Sequence, residues 1–285
     1  MSDGNTLGHS DATHTGATHA GDTHADGTVD FGHERVSPAE KTRRVGDVFR
    51  AVARNYDVMN DIMSLGLHRA MKHLARDLSG VRDGDIVLDL AGGTGDMAAR
   101  FAPLVGTGGA VVLGDINEAM LHEGRRRLLD RGFAGIRYVQ LDAEQLPFAD
   151  GTFACVSIAF GLRNVARKAQ ALREMRRVLA PGGRLLILEF SKPRHAWLRQ
   201  AYGVWQGLWP AIGRAVTGEA APYRYLVDSI ATHPDQETLT GLLNTAGFTQ
   251  ARCYDLLDGI VALHRAVAPG AVSASIAHQV AGPGA

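Results

Sequence analysis

The sequence predicts an α/β domain built on a mostly parallel sheet, and three observations carry that prediction. Short apolar runs alternate with helix-period segments from about residue 86 to residue 190, the order that winds a parallel sheet with helices on its faces. The runs are nearly continuous in apolar character, as strands covered on both faces must be. Between the first run and the helix that follows lies Gly92-Gly93-Thr94-Gly95, where glycines allow positive φ and close approach of a ligand to a helix N-terminus. A nucleotide-like ligand is the first expectation. Gly93, Gly95 and Ala98 also satisfy the spacing of dinucleotide sites, so the loop alone does not choose the ligand.

The chain of 285 residues, 45% apolar and 21% charged, can bury a large core, and one domain with tails is expected. Thirty basic and thirty acidic side chains cancel without a basic block, which argues against a nucleic-acid partner and against a polybasic membrane patch. Cys155 and Cys253 fall far apart in strand-like segments and are expected as buried free thiols, compatible with a reducing cytoplasm. No apolar run reaches the roughly 18 residues of a transmembrane helix, and the N-terminus lacks the pattern of a signal peptide.

Residues 1–32 are poor in large apolar side chains and are expected to form a disordered tail. Within it a pentapeptide repeat spaces His9, His14, His19 and His24 at five-residue intervals; a solvated repeat is the better reading than metal capture. Ser37-Pro38-Ala39-Glu40 is a helix start, with serine as cap and proline at the first helical position. The helix is expected to run to about Tyr56 with an apolar face of Val45, Val48, Phe49 and Val52, and a second helix over 66–78. Residues 33–80 thus form a helical N-terminal lid, with Tyr56 and Asp57 between its helices.

Residues 81–267 form the main domain. Strands are expected at 86–90, 110–115, 136–140, 154–160 and 184–190, with helices at about 96–104, 117–131 and 166–179. An aromatic helical segment over about 194–232 is inserted next, and its tryptophan-bearing helix either covers the core or offers a channel or bilayer contact for a lipid tail. A further helix ends near Gly247, and two last strands, about 250–256 and 260–264, flank a Leu257-Asp258-Gly259 turn. Residues 268–285 read as a second tail.

Three acids sit where strands end: Asp89, Asp115 and Asp142. In an open parallel sheet these ends converge on one crevice. Asp115, twenty residues after Gly95, can accept from both hydroxyls of a ribose, and Asp142 from an adenine amine. Asp89 and Asp96 beside the glycine loop would repel a pyrophosphate and favour a cationic amino-acid tail.

Asp89-Leu-Ala-Gly-Gly-Thr-Gly-Asp96, Gly114-Asp-Ile-Asn-Glu118, Phe160-Gly-Leu-Arg-Asn164, Arg177-Val-Leu-Ala-Pro-Gly-Gly-Arg184 and Leu188-Glu-Phe-Ser-Lys-Pro193 closely resemble the C-methyltransferases of ubiquinone and menaquinone biosynthesis. Tyr56-Asp-Val-Met-Asn-Asp61 and Ser229-Ile-Ala-Thr-His-Pro-Asp-Gln236, outside the crevice, match the same family. The resemblance spans roughly residues 29–266. It implies a class I methyltransferase fold, a Rossmann-like seven-stranded sheet with an antiparallel last strand. It also implies S-adenosylmethionine as methyl donor, a polyprenyl quinol as acceptor and no metal. Cofactor contacts carry over as Gly93, Thr94, Gly95, Asp115, Asp142 and Ala143. At Ala159 the family usually has serine, so one hydrogen bond of about 0.5–1.5 kcal/mol is lost.

Methyl transfer to a ring carbon needs a quinol hydroxyl deprotonated or strongly hydrogen-bonded. Arg163 and Asn164 are expected to face the crevice and contact the quinol oxygens, followed by Tyr56 and Asp57 from the lid. His68 is the weaker proton-transfer choice, and His233 reads as a helix entry. A lipid-soluble tail implies transient contact of a cytoplasmic protein with the inner membrane, and a complex with other quinone-biosynthesis enzymes is compatible with the resemblance. A methyltransferase for another aromatic or lipid acceptor, and a non-catalytic scaffold, are the competing readings.

Overall fold

The computed structural model describes residues 23–52, 61, 64 and 66–270. The tail expected over 1–32 ends inside an ordered hairpin, which corrects its boundary. Strands β1 (Val29–Phe31) and β2 (Glu34–Val36) pair antiparallel, and Val29 and Val36 bury against Ala166. Three-residue strands in a Gly- and Asp-rich stretch leave no periodicity to read; tertiary packing supplies their order. The second tail likewise starts later than expected, because Ala268 is buried and exchanges backbone hydrogen bonds with Gly182 and Gly183.

Helix α1 (Pro38–Val52) starts as the sequence dictates, with Ser37 Oγ accepting from the Glu40 amide at 3.2 Å. Its continuation toward Tyr56 lies outside the described residues. After α2 (Leu67–Ser79) the alternation begins: β3 (Ile86–Leu90), α3 (Asp96–Val105), β4 (Ala110–Asp115), α4 (Glu118–Asp130), β5 (Arg137–Gln140) and β6 (Phe153–Ala159). A 3-10 turn (Leu162–Asn164) leads to α5 (Lys168–Val178) and β7 (Leu179–Phe190). The aromatic segment folds as two helices, α6 (Ala196–Thr217) and α7 (Ala221–Thr232), before α8 (Gln236–Thr245), β8 (Thr249–Leu256) and β9 (Val261–Val267).

The seven strands lie in the order β5-β4-β3-β6-β7-β9-β8, and only β9 runs antiparallel to its neighbours. The order reverses between β3 and β6, so a crevice opens beyond their carboxyl ends. Alternate strand residues feed two cores. Leu88, Leu90, Val156 and Ile158 pack on one face with α5 and α8; Val87, Val111, Leu113 and Cys155 pack on the other with α2 and α3. Double coverage explains the near-continuous apolar runs. Cys155 is buried and Cys253 half-buried, both free. No helix among the described residues is long and apolar enough to cross a membrane.

Helix α7 lies inside the helical segment expected over about 194–232 but was not foreseen as a separate helix, although Pro222 in its first turn is a helix-start signal. It crosses α6 closely. A Cβ on Gly213 would stand 2.1 Å from the Tyr223 ring, so glycine is what lets the two helices meet.

Candidate active site

The crevice is a cleft of about 770 Å³ counted out to its mouth. Each wall comes from the end of an element: Leu90, Ala91 and Gly93 after β3, Asp115 to Asn117 after β4, Leu141 to Glu144 after β5, and Phe160, Gly161 and Asn164 after β6. Helix α1 closes it with Thr42, Val45, Gly46 and Phe49, and Asn117 Nδ2 donates to the Gly46 carbonyl at 3.1 Å. The same Asn117 caps α4 through its side-chain oxygen. One asparagine therefore ties the lid helix to the floor of the cleft. The part played by Thr42 and Gly46 was not legible, since nothing local marks a helix face as a cleft wall.

Asp115 is the centre of the site. Its Oδ2 accepts from the Gly93 amide at 3.0 Å and its Oδ1 from the Asn117 amide at 2.9 Å, leaving lone pairs for further donors. Burial pushes its carboxyl up to about 6, against the pull of those amides. Gly93 has φ 53°, and a Cβ there would stand 3.0 Å from Met120 Cε. The loop thus leaves open space in the cleft beside Asp115. Asp142 and Ala143 line the same cleft, with Asp142 Oδ1 taken up by the Glu144 amide at 2.9 Å.

Gly95 has a structural task. At φ 82° a Cβ would meet Leu128 Cδ1 at 2.4 Å and Leu113 Cδ1 at 3.0 Å, so the turn lies directly on the α4 side of the core. Gly95→Ala is expected to destabilise the protein by about 3 kcal/mol through combined overpacking and left-handed strain. A urea midpoint equal to that of the parent protein would refute it.

Other sequence-predicted residues lie elsewhere. Thr94 is buried and borders a separate depression with Asp96, Arg127, Asp130 and Arg131. Ala159 is half-buried at the end of β6, packed against the core. The acidic pair by the glycine loop is not presented to a ligand. Asp96 bonds Lys72 at 3.0 Å and pairs with Arg100; burial opposes its ionisation, but those two cations outweigh burial and hold its carboxyl below the usual range. Asp89 accepts from the Ala98 amide at 2.8 Å, and burial pushes its carboxyl up to about 7. The expected attraction for a cationic tail therefore does not come from free charge on these two groups.

Asn164 lines the cleft, and the Tyr225 hydroxyl donates to its Oδ1 at 2.9 Å. Burial raises the Tyr225 pKa, so that hydroxyl stays a donor. Arg163, expected to face the crevice, lies behind Asn164. It forms a buried ion pair with Glu189 at 3.0 Å, its amide donates to the other oxygen of Glu189 at 3.1 Å, and its guanidinium donates to the Phe160 carbonyl and covers the Phe190 ring. Phe160 and Ala91, neither a glycine, hold φ of 57° and 51° at the ends of the adjacent strands β6 and β3, where both line the cleft. Tyr56 and Asp57 lie outside the described residues. His68 is buried, bonds Ser64 at 2.8 Å through Nδ1, and has its pKa lowered chiefly by burial; it does not line the cleft. His233 follows α7 as a fully buried ring held neutral by burial.

The model of the ubiE/COQ5 methyltransferase family matches residues 37–268, most of the chain. The chain belongs to that family. Among relatives, the ubiquinone/menaquinone biosynthesis C-methyltransferase UbiE of Teredinibacter turnerae is 54% identical over 242 residues, covering 84% of this chain and 97% of that protein. The protein of the same name from Pseudomonas putida strain GB-1 is 53% identical, covering 85% of this chain and 95% of its own length. A SAM-dependent methyltransferase of Aquifex aeolicus has a similar solved structure, with TM-score 0.50, 16% identity, and coverage of 81% of this chain and 98% of that one. At that identity the likeness concerns the fold alone.

Proposed function

We propose that this chain transfers a methyl group from S-adenosylmethionine to a ring carbon of a prenylated quinol, in the synthesis of ubiquinone, menaquinone or both. The observation that carries the reading is identity above half over nearly the whole length of relatives so named, with a family match that runs through α6 and α7, which the cofactor crevice does not require. A methyltransferase for an unrelated acceptor would have no reason to keep that segment. The Asp115 cradle argues against a scaffold, because a purely structural role would not need a buried carboxylate with open lone pairs facing the cleft.

Asp115 accepts the ribose hydroxyls, while Asp142 and Ala143 flank the adenine. When bound, S-adenosylmethionine supplies an electrophilic methyl on a sulfonium. Phe49, Val45, Leu90 and Met120 keep water from the reacting centre. Asn164 turns its amide nitrogen toward the cleft because Tyr225 holds its oxygen, and that nitrogen donates to a quinol oxygen. Arg163 and Glu189 are positioning residues that fix the turn carrying Asn164. Tyr56 and Asp57, outside the described residues, remain the candidates for contacting the ring, and the hydroxyl proton leaves to water. The ring carbon then forms the new C–C bond as the S–CH3 bond breaks, releasing S-adenosylhomocysteine; the ring C–H proton passes to water and the phenolate oxygen takes a proton back, which restores the aromatic quinol. We assign no metal, because proton removal is enough to activate the ring.

Purified protein should move label from S-adenosylmethionine, under anaerobic conditions, into reduced demethyl-benzoquinol or demethyl-naphthoquinol carrying short tails. Label in one ring identifies the pathway, and label in both means dual specificity. No label in either, with cofactor binding intact, overturns the reading. A prenyl chain partitions into lipid, so the reading also places the protein in the cytoplasm with transient contact at a membrane surface.

A further inference from the structure

Helix α6 presents two unlike faces. Trp209 is buried with Tyr223, Leu226 and Ile230 of α7, and fixes the inner face. Trp197, Ala201, Val204, Leu208, Ala211 and Ala215 are all exposed. At 100° per residue they fall within an arc of about 80° along the whole helix. Trp197 is 68% exposed, Val204 71% and Leu208 50%, while the other exposed large apolar side chains among the described residues reach at most 46%. Scattered single residues need no explanation, but a stripe of this length does.

The charge on the segment says what covers the stripe. From Ala196 to Gly218 there is no aspartate or glutamate, while Arg199 and Arg214 are exposed cations; Arg194, just before the helix, is already paired with Glu237 and Asp255. The nearest acid on the C-terminal side, Glu219, lies beyond the helix. This contrasts with the chain as a whole, whose charges cancel. A tryptophan at one end, aliphatic residues along one line and Arg214 on its flank form an amphipathic element that lies in the plane of an interface. The helix cannot span a bilayer, because its inner face is committed to α7.

We infer that the outer face of α6 is a docking surface for an anionic phospholipid membrane, which the protein meets with α6 lying flat. The inference deepens the proposed function, because it names where a substrate held in lipid would be met. A protein partner or a second copy would need a counter-surface without basic charge, and nothing in the acid-free segment favours that over anionic headgroups.

The test uses the full chain and vesicles of phosphatidylcholine with or without about one-third phosphatidylglycerol. The protein should sediment with the anionic vesicles and not with the neutral ones. The triple variant Trp197→Ser, Val204→Ser, Leu208→Ser should lose at least tenfold in partition, and Arg214→Glu severalfold. Vesicles brominated on their acyl chains should quench tryptophan fluorescence, and Trp197→Phe should remove most of that quenching. Equal partition by parent and triple variant, or quenching that survives Trp197→Phe, overturns the proposal. So does a dimer in light scattering that the triple variant converts to monomer, since the face would then belong to a second copy. Because these readouts need no turnover, failed methyl transfer to a soluble short-tailed quinol would count against the function and leave the docking result standing.

Discussion

Asp115→Ala is expected to weaken S-adenosylmethionine binding roughly a hundredfold, from the loss of about 3 kcal/mol of hydrogen bonding to a charged acceptor. Titration calorimetry checks it, and unchanged affinity would mean that the ribose lies elsewhere. The pH dependence is the sharper signature. Burial pushes the Asp115 carboxyl up to about 6 in the free protein, and donation by two hydroxyls favours the ionised form. Affinity should therefore hold from pH 8 to about 6 and fall as the pH drops further, with protons released on binding in that lower range. Asp115→Asn should bind weakly and without that slope. Stability of the free protein runs the other way. A carboxyl raised from its ordinary value contributes stability that is full below about 4 and lost as the pH climbs through about 6; Asp89, raised to about 7, extends the loss to neutrality. The ligand-free protein should thus gain thermal stability from these two groups on mild acidification while losing cofactor affinity. A flat binding profile between pH 8 and 5 would remove Asp115 from the ribose.

Asp115 was legible because its position follows from strand length alone: an acid at the end of the second parallel strand must face the crevice. The strands themselves were legible for the same reason, since burial on both faces leaves runs such as Val111-Val112-Leu113 that little else explains. Ser37 announced α1 because capping is a local event. What stayed hidden depends on partners distant in sequence. Glu189 is 26 residues from Arg163, and nothing near either one says that they meet. Trp197 and Trp209 sit twelve positions apart on one helix, and composition could not say that one is exposed and the other buried. The hairpin at Val29–Phe31 and the closing of the cleft by Gly46 are likewise products of packing, as is the withdrawal of Asp96 into an ion cluster.

Arg163→Ala carries the other large expectation, and it separates two roles that one residue can play. The pair with Glu189 is almost wholly shielded, with side-chain exposures of 4% and 2%, so truncating the arginine leaves a buried carboxylate without its cation. The expected cost is about 3–5 kcal/mol of stability, read as a lowered urea midpoint. The double variant Arg163→Met, Glu189→Leu should recover most of that loss, because an apolar pair of similar volume removes both desolvation penalties. Catalysis should not recover with it. The guanidinium and the Glu189 carboxylate together hold the Phe160 carbonyl and the Arg163 amide, which set the direction of Asn164 at the cleft wall. An apolar pair cannot reproduce those bonds. Turnover should therefore fall in both variants, while cofactor affinity, anchored on β4 through Asp115, stays within about threefold. Full turnover in the stabilised double variant would reduce the ion pair to packing and leave Asn164 oriented by Tyr225 alone.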